Sequence, residues 1–404
     1  MLRTHNCGIL RKEDIGKEVL LTGWVNRRRD HGGVIFIDLR DRWGLTQLVI
    51  DSNQQEVYQC ANNVKSEFVL QAKGLVRARP EGLANPKIPT GEIEVAVSEL
   101  TILSESKPLP FEIEEKNETD ESLRLRYRYL DLRRTRMQKN LILRHQICQV
   151  VRRYLSERQF IEVETPFLTK STPEGARDFL VPSRLNEGNF YALPQSPQLF
   201  KQILMIAGYD RYFQIAKCFR DEDLRADRQP EFSQVDIEMS FVEREDILEL
   251  IETMMKKLFY EVLEINLETP FPRMSYDEAM NRYGCDKPDL RISFAIDDLS
   301  QLLQDAIEVG SKNDSWKGLF FQEWKSFSRK KADLLSQMAK NAGVSLSYIK
   351  QGKQEATSPL KNKISEVAWR KLLEKYSFQE DSLLLVAWGE SQKVLPFLGN
   401  LRVN

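Results

Sequence analysis

The chain has 404 residues, which is too long for one typical domain and predicts two or three. Its hydrophobic content of 41% is enough to build real cores. Its formal net charge of −1 argues against a generally basic nucleic-acid binder, although it leaves room for local basic patches.

The cysteines and the N-terminus indicate the compartment. Five scattered cysteines share no metal-ligand spacing, so we expect reduced thiols and no metal site. The N-terminal residues contain no apolar signal core, and no stretch is long and apolar enough to span a membrane. These features predict a cytoplasmic protein.

Residues 1–105 are predicted to be all-β. Gly, Asp, Asn and Pro separate five strand-like runs, at 19–25, 34–39, 45–50, 68–76 and 92–97. Short strands at this spacing fit a small Greek-key barrel of the OB type.

A basic loop at 26–33, with the sequence NRRRDHGG, precedes Phe36 and Asp38. Arginines beside an exposed ring suit single-stranded nucleic acid, with phosphates on the arginines and a base on the ring. The same residues equally fit a solvated hairpin with Phe36 in the barrel core.

Residues 106–140 are predicted to be a linker that leads into a helix. Prolines and acidic residues come first, and a strongly basic run follows between Arg124 and Lys139. This run either contacts a nucleic-acid backbone or forms an exposed helix with mixed partners.

From residue 141 the pattern becomes helical, because apolar residues recur at three- and four-residue steps. A short strand at 160–168, interrupted by Pro166, and a polar loop at 169–178 with Glu174 come next. Short and long helices are predicted at 198–208 and 243–262. The order of elements indicates an α+β antiparallel sheet rather than a doubly wound one.

Two strands, at 212–219 and 232–241, enclose a charged loop with Arg220 at its mouth. The second strand alternates strictly between an apolar face ending at Phe241 and a polar face that includes Gln234 and Asp236. This arrangement predicts a platform that grips an anionic ligand.

Residues 285–404 give weaker signals. Helix-like stretches occur at 299–306, 330–341 and 364–376, and a strand-like apolar run occurs at 382–387. The tryptophans at 316, 324, 369 and 388 are expected in the core. No catalytic constellation is evident in this region.

Three sequence blocks resemble the bacterial-type aspartyl-tRNA synthetases, a family of class II aminoacyl-tRNA synthetases. The block TGWVNRRRDHGGVIFIDLRDRWG resembles the anticodon-binding OB domain. The block FIEVETPFLTKSTPEGARDF resembles motif 1 and the loop that closes over the amino acid. The segments QSPQLFKQ, FRDED and RADRQPEFSQVDIE resemble the aspartate pocket and motif 2.

The resemblance implies a multi-domain fold. An OB-fold β-barrel at 1–105 and a hinge at 106–140 precede the first half of an α+β class II catalytic domain with an antiparallel sheet at 141–284. A bacterial insertion domain of the GAD-like, α+β type is implied at 285–404, where the match is looser.

The implied reaction is the ATP-dependent activation of L-aspartate to aspartyl-adenylate, with Mg²⁺, followed by transfer to tRNA-Asp. Such steps need charge neutralisation and positioning more than a protein nucleophile. By resemblance, Arg220 is the catalytic arginine that bridges the α-phosphate and the carboxylate. Asp221, Glu222 and Gln229 are implied ATP contacts.

The aspartate pocket is implied by the same match. Lys201 is the candidate for the side-chain carboxylate, and Glu174 is the candidate for the ammonium. The pocket is completed by Ser196, Gln198, Arg220, Gln234 and Asp236. Each carboxylate could instead be a surface or salt-bridged residue.

Further implied positions concern the tRNA. Phe36 and Gln47 match the anticodon-stacking and anticodon-reading positions, Arg29 a nearby backbone contact, and Glu94 a reader of the third base. His31 and Gly82 match family members that charge both tRNA-Asp and tRNA-Asn, which implies a non-discriminating enzyme; His31 could equally be a generic loop histidine.

The sequence departs from the family in one respect, because motif 3 and its ATP-holding arginine are not found. We therefore expect a truncated chain whose 404 residues alone do not form adenylate at a useful rate, with an exposed sheet edge. A homodimer through motif 1 is expected. The alternatives are a relative specific for asparagine or lysine, and a non-catalytic tRNA-binding protein derived from a synthetase.

Overall fold

The computed structural model describes residues 2–403 except 114–117, 173, 304–310, 312–313 and 325–326. The chain forms two compact units, Met1–Thr269 and Pro270–Asn404. Across the described ranges, no helix has the length and apolar character needed to cross a bilayer.

The first unit begins with a closed five-stranded barrel, as the sequence predicts. Its strands are β1 (Glu18–Asp30), β2 (Val34–Arg40), β3 (Leu45–Asp51), β4 (Val69–Ala78) and β5 (Ile93–Ser104). They close in the order β1-β2-β3-β5-β4, and α1 (Gln55–Asn63) connects β3 to β4. Alternating apolar residues such as Leu21, Ile37 and Leu48 are fully buried inside the barrel. This burial accounts for the period-two pattern in the sequence of the strands.

The basic run after the barrel contains two short helices, α2 (Glu121–Arg126) and α3 (Arg128–Asp131), before α4 (Thr135–Ser156). Asp131 is fully buried and lies 2.5 Å from Arg128 Nη1, 3.6 Å from Arg134 Nε and 3.8 Å from Arg124 Nη1. These arginines therefore have partners within the protein itself. This agrees with the interpretation of the basic run as an exposed helix with mixed partners.

Glu67 joins the barrel to the segment that leads into α4. Its buried carboxylate accepts hydrogen bonds from Arg40 of β2 at 2.7 and 2.8 Å. Arg133, just before α4, donates to the same carboxylate and lies over the Trp24 ring at 5.0 Å. One acidic side chain thus pairs with two arginines from separate parts of the chain.

The rest of the first unit is α+β. Its elements are β6 (Ile161–Glu162), β7 (Leu180–Pro182), β8 (Phe190–Ala192), α5 (Gln198–Ile206), β9 (Arg211–Phe219), β10 (Glu231–Met239) and α6 (Arg244–Leu263). The sheet order is β10-β9-β6, with β9 and β10 antiparallel and β6 parallel to β9. The predicted antiparallel sheet is confirmed for β9 and β10, and the predicted strand at 160–168 shortens to β6.

The apolar face of β10 is shorter than the alternation predicts. Ile237 and Met239 pack on the core formed with α4 and α6. Phe241 was expected on the same face, but it is 93% exposed, with φ +57°, because the strand ends at Met239. Among the described strands, β10 pairs only with β9, so its outer edge is open.

The second unit contains a five-stranded sheet in the order β11-β12-β15-β13-β14. The strands are β11 (Ile296–Asp298), β12 (Ser315–Phe321), β13 (Ser345–Gln351), β14 (Ala356–Thr357) and β15 (Leu383–Gly389). The helices are α7 (Tyr276–Tyr283), α8 (Ser300–Leu303), α9 (Arg329–Asn341), α10 (Glu366–Tyr376) and α11 (Ser391–Val403). Residues 304–306 of the predicted helix at 299–306 lie outside the described residues.

Apolar cores cover both faces of this sheet. On β15, Leu383 and Leu385 belong to one core, and Leu384 and Val386 belong to the other. Burial on both faces explains why the strand reads as a continuous apolar run. Trp316 is buried and stacks on Trp388 with ring centroids 4.7 Å apart, and the other two tryptophans of the unit also pack on the cores.

Helix α7 belongs to the second unit, although the domain boundary predicted from the sequence lies after it. Gly284, which ends α7 with φ +69°, approaches α11 so closely that a Cβ there would lie 2.1 Å from the Leu395 carbonyl oxygen. Arg402 of α11 in turn lies over the Tyr283 ring at 4.7 Å. The domain limits given above stay predictions.

Candidate functional site

The candidate site lies on the polar side of β9 and β10, beside α5. Lys201 of α5 is 9% exposed, and its Nζ donates to Asp236 Oδ1 of β10 at 2.8 Å. The same Nζ lies 3.3 Å from Glu238 Oε2, two residues further along the polar face of β10. Because β10 alternates, Asp236 and Glu238 lie on the same face of the strand, and both approach the single buried ammonium of Lys201.

The ionisation of this pair follows from burial and charge. Burial alone would lower the pKa of Lys201, but the hydrogen bond and charge of Asp236, with the charge of Glu238, raise it. Burial raises the pKa of Asp236 despite the nearby ammonium. Lys201 is therefore held as a cation between Asp236 and Glu238.

Arg220 lies where β9 ends, at the mouth of the loop between β9 and β10. Its backbone N–H donates to the Pro230 carbonyl at 2.9 Å, and its guanidinium lies over the Phe232 ring at 5.1 Å. Its Nε is buried and has no hydrogen-bond partner among the described residues. A buried guanidinium nitrogen without a partner suits a site that receives an anionic group.

Glu174 is held at the N-terminus of α5. Its two carboxylate oxygens accept from Ser196 Oγ at 2.5 Å and from Thr172 Oγ1 at 3.1 Å. Ser196 Oγ also accepts from the backbone N–H of Gln198 at 2.9 Å. The structure thus joins Glu174, Ser196 and Gln198 in one hydrogen-bonded chain.

The other predicted residues lie around the loop between β9 and β10. Asp221 donates its backbone N–H to the Arg177 carbonyl at 3.0 Å, which links this loop to the loop that carries Glu174. Glu222 Oε2 lies 3.4 Å from Arg228 Nε, and Gln229 is exposed. Gln234 lies on the same side of β10 as Asp236.

One buried residue at this site was not predicted from the sequence. Gln195 is 1% exposed, and its side-chain amide bonds to the loop that carries Glu174. The sequence places it next to Ser196, yet nothing in the local pattern indicates its partners, which lie 17 and 19 residues away.

A second set of predicted residues forms a patch on the barrel. Phe36 is half-buried on the outer side of β2, because Ile35 and Ile37 face inward, so the interpretation of Phe36 as a core residue is wrong. Arg29 lies over the Phe36 ring at 6.0 Å and His31 contacts its edge, with centroids 5.7 Å apart.

Hydrogen bonds extend this patch across all five strands of the barrel. Arg29 Nη2 donates to Asp38 at 2.7 Å and to Gln47 Oε1 at 3.3 Å, and Gln47 Nε2 donates to Glu94 at 2.9 Å. Arg77, which was not predicted, donates to the other oxygen of Glu94 at 2.9 Å from the paired position on β4. Gly82 lies exposed after β4 with φ +77°.

Among the described residues, no group of three or more His, Cys, Asp or Glu side chains could hold a metal ion. Mg²⁺ that binds together with ATP needs no such group, because one or two carboxylates and the substrate phosphates hold it.

Comparison with known proteins identifies the family. Residues 120–381 match the family model described as tRNA synthetases class II (D, K and N), and residues 19–103 match the OB-fold nucleic acid binding domain. The chain is 52% identical over 410 residues to the aspartate–tRNA(Asp/Asn) ligase of Thermodesulfovibrio yellowstonii, covering 100% of this chain and 69% of that protein. The corresponding ligase of Aquifex aeolicus is 49% identical over 414 residues, covering 100% and 68%.

Solved structures share the fold. An asparaginyl-tRNA synthetase from Pyrococcus horikoshii complexed with asparaginyl-adenylate superposes with a TM-score of 0.62 at 19% identity, covering 100% of this chain and 96% of that one. A putative aspartyl-tRNA synthetase from Leishmania major Friedlin gives 0.58 at 24% identity, covering 65% and 53%. The chain therefore belongs to the class II tRNA synthetases of the D, K and N group.

Proposed function

We propose that the chain contributes the aspartate pocket, the motif 2 contacts and the anticodon surface of an aspartate–tRNA ligase. The observation that carries this proposal is the buried ammonium of Lys201 between Asp236 and Glu238. It is supported by Arg220 at the end of β9, whose buried Nε has no hydrogen-bond partner among the described residues. Relatives with about half of their residues identical are named as ligases for tRNA(Asp/Asn), which favours this function over a non-catalytic tRNA-binding protein.

Substrate selection follows from charge. The ammonium of Lys201 meets the side-chain carboxylate of L-aspartate, and Asp236 keeps that ammonium protonated and aimed. Glu174 meets the substrate ammonium, within reach of Ser196 and Gln198. A pocket with this charge order selects an amino acid with a short acidic side chain and disfavours lysine by like-charge repulsion.

Adenylate formation is assigned to Arg220. The α-carboxylate of aspartate attacks the α-phosphate of ATP, pyrophosphate leaves, and negative charge is shared between the two reacting groups. A planar guanidinium can bond to both anions at once, and that of Arg220 lies over the Phe232 ring at 5.1 Å. Asp221, Glu222 and Gln229 are the proposed ATP contacts on the loop that follows.

The barrel patch is proposed to bind the anticodon. A base stacks on Phe36, Gln47 and Glu94 read base edges, and Arg29 contacts the backbone. His31, on the edge of Phe36, and Gly82 are the proposed positions that allow tRNA-Asn beside tRNA-Asp. The cytoplasmic location, the homodimer and the lack of useful adenylation by the 404 residues alone stay predictions.

Binding of non-hydrolysable aminoacyl-adenylate analogues tests the proposal, because it does not depend on turnover. Titration calorimetry with aspartyl-, asparaginyl- and lysyl-sulfamoyl adenosine should rank the aspartyl compound tightest by about 10-fold or more. Lys201→Met should abolish that ranking. Equal affinity for the three analogues would contradict the proposed substrate.

A further inference from the structure

The described residues of the loop that carries Glu174, 169–172 and 174–178, are fixed at the two ends of the loop by backbone hydrogen bonds. Thr169 exchanges two such bonds with Ala192, and the Arg177 carbonyl accepts from Asp221 at 3.0 Å. Glu174 lies between these anchors. Gly175, with φ +99°, follows it in a conformation that other residues rarely adopt and lets the chain turn sharply there.

Gln195 fixes the middle of the loop. Its Nε2 donates to the Ala176 carbonyl at 2.9 Å and to Asp178 Oδ1 at 2.5 Å, and its Oε1 accepts from the Ala176 N–H at 3.1 Å. Asp178 also accepts from Ser171 Oγ, so both sides of the loop meet at one carboxylate. Both the donor and the acceptor end of the Gln195 side-chain amide therefore bond to the loop. The Gln195 residue is 1% exposed.

Adjacent residues hold the backbone and the side chain of the same loop. Gln195 holds Ala176, and Ser196 holds Glu174 two residues earlier. We propose that Gln195 is a positioning residue that holds residues 174–178 so that Glu174 faces the ammonium of the amino-acid substrate. This inference rests on the role proposed above for Glu174.

The chemistry of an amide explains why glutamine suits this position. Ala176 presents both a backbone donor and a backbone acceptor, and only a side chain with one donor and one acceptor end satisfies both. Glutamate would keep the bond from the Ala176 N–H but would place an oxygen against the Ala176 carbonyl and Asp178. Methionine has similar length and would leave all three groups without their partner.

The inference predicts a loss of selectivity for the substrate ammonium rather than of binding in general. Succinate has both carboxylates of aspartate and lacks the ammonium, so it reports on the rest of the pocket. In Gln195→Met, the affinity for L-aspartate should fall by about 10-fold or more, since a charge-assisted hydrogen bond is lost, while that for succinate stays unchanged. Glu174→Gln should show the same loss of affinity for L-aspartate. The double variant should lose no more affinity than either single variant.

The Ala176 amide gives an independent readout of the loop. Its hydrogen exchange should accelerate by about 10-fold or more in Gln195→Met, because its acceptor is removed. Gln351→Met is the matched control, since Gln351 Nε2 also donates to a backbone carbonyl, that of Gly352 at 3.0 Å. If Gln195→Met fails to fold, Gln195→Glu decides by the affinities for L-aspartate and succinate alone, since it keeps the acceptor for the Ala176 N–H.

The outcomes separate the inference from the proposed function. If Glu174→Gln removes the preference for L-aspartate over succinate while Gln195→Met keeps it, the inference is overturned. The proposed function then still stands. Equal losses for both ligands in Gln195→Met also overturn it, because they indicate general destabilisation. A wild-type chain without any preference overturns the role of Glu174 and this inference together.

Discussion

At Lys201, the penalty for burying a charge is offset by two acidic neighbours. Replacing it by methionine leaves Asp236 and Glu238 facing each other without a cation. We expect Lys201→Met to lower the free energy of unfolding by about 3 kcal/mol in urea denaturation. Lys217 pairs with the exposed Glu231 at 2.6 Å. Lys217→Met should therefore change the free energy of unfolding by less than about 1 kcal/mol. Equal effects would contradict the buried-pair description.

The same pair gives stability a dependence on alkaline pH. Because the pKa of Lys201 is raised above its ordinary value of 10.5, the folded state holds this proton more tightly than the unfolded chain does. Its contribution is complete below that value and is lost as the pH rises through the folded pKa. The difference in unfolding free energy between wild type and Lys201→Met should therefore shrink above about pH 10.5. A difference independent of alkaline pH would argue against a protonated Lys201.

Single residues were predictable where a regular element repeats them. The alternation of β10 indicates that Asp236 and Gln234 share a face, and helical spacing relates Lys201 to Gln198. Gln195 was not predictable, because its partners lie in an irregular loop whose path local periodicity does not determine. Phe241 was placed wrongly, since no pattern signals that β10 ends two residues before it.

At the scale of elements, the barrel brings together side chains from β1, β2, β3 and β5. Phe36→Ala should weaken binding of a tRNA-Asp anticodon stem-loop by about 10-fold, whereas Phe36→Tyr should keep it, because the ring supplies the stacking surface. Trp43 is the matched control, being 47% exposed with Arg42 4.2 Å from its ring centroid. A similar loss in Trp43→Ala, measured by fluorescence anisotropy, would contradict a specific stacking role for Phe36.

Elements with one clear periodicity were predicted well. The barrel strands alternate because one side faces the core, and β15 is continuously apolar because both sides are covered. In the second unit, strands β11, β12, β13 and β14 escaped prediction, since β11 and β14 are short and β12 and β13 contain polar residues. The pairing of β12 and β13 depends on β15, which is distant in sequence.

At the scale of the whole molecule, each of the two units has cores of its own. The second unit holds the tryptophans at 316, 324, 369 and 388, while Trp24 and Trp43 belong to the first. Tryptophan fluorescence in the variant Trp24→Phe/Trp43→Phe should therefore follow the second unit alone. Its urea transition should not superimpose on that of far-UV circular dichroism, which follows both units. Coincident transitions would indicate that the units unfold together.

The carboxylate of Glu67 also has a consequence for the order of folding. Its backbone N–H is bonded to Val25, and its arginine partners lie 27 and 66 residues away in sequence. The buried setting in which Glu67 accepts from Arg133 is therefore complete only after β1 and β2 have come together around Glu67. During synthesis the N-terminal barrel emerges first, so the chain that leads into α4 docks on a barrel that is already closed. In a nascent chain whose barrel is incomplete, Arg133 would lack this partner. The ion pair between Arg133 and Glu67 would therefore form late in folding.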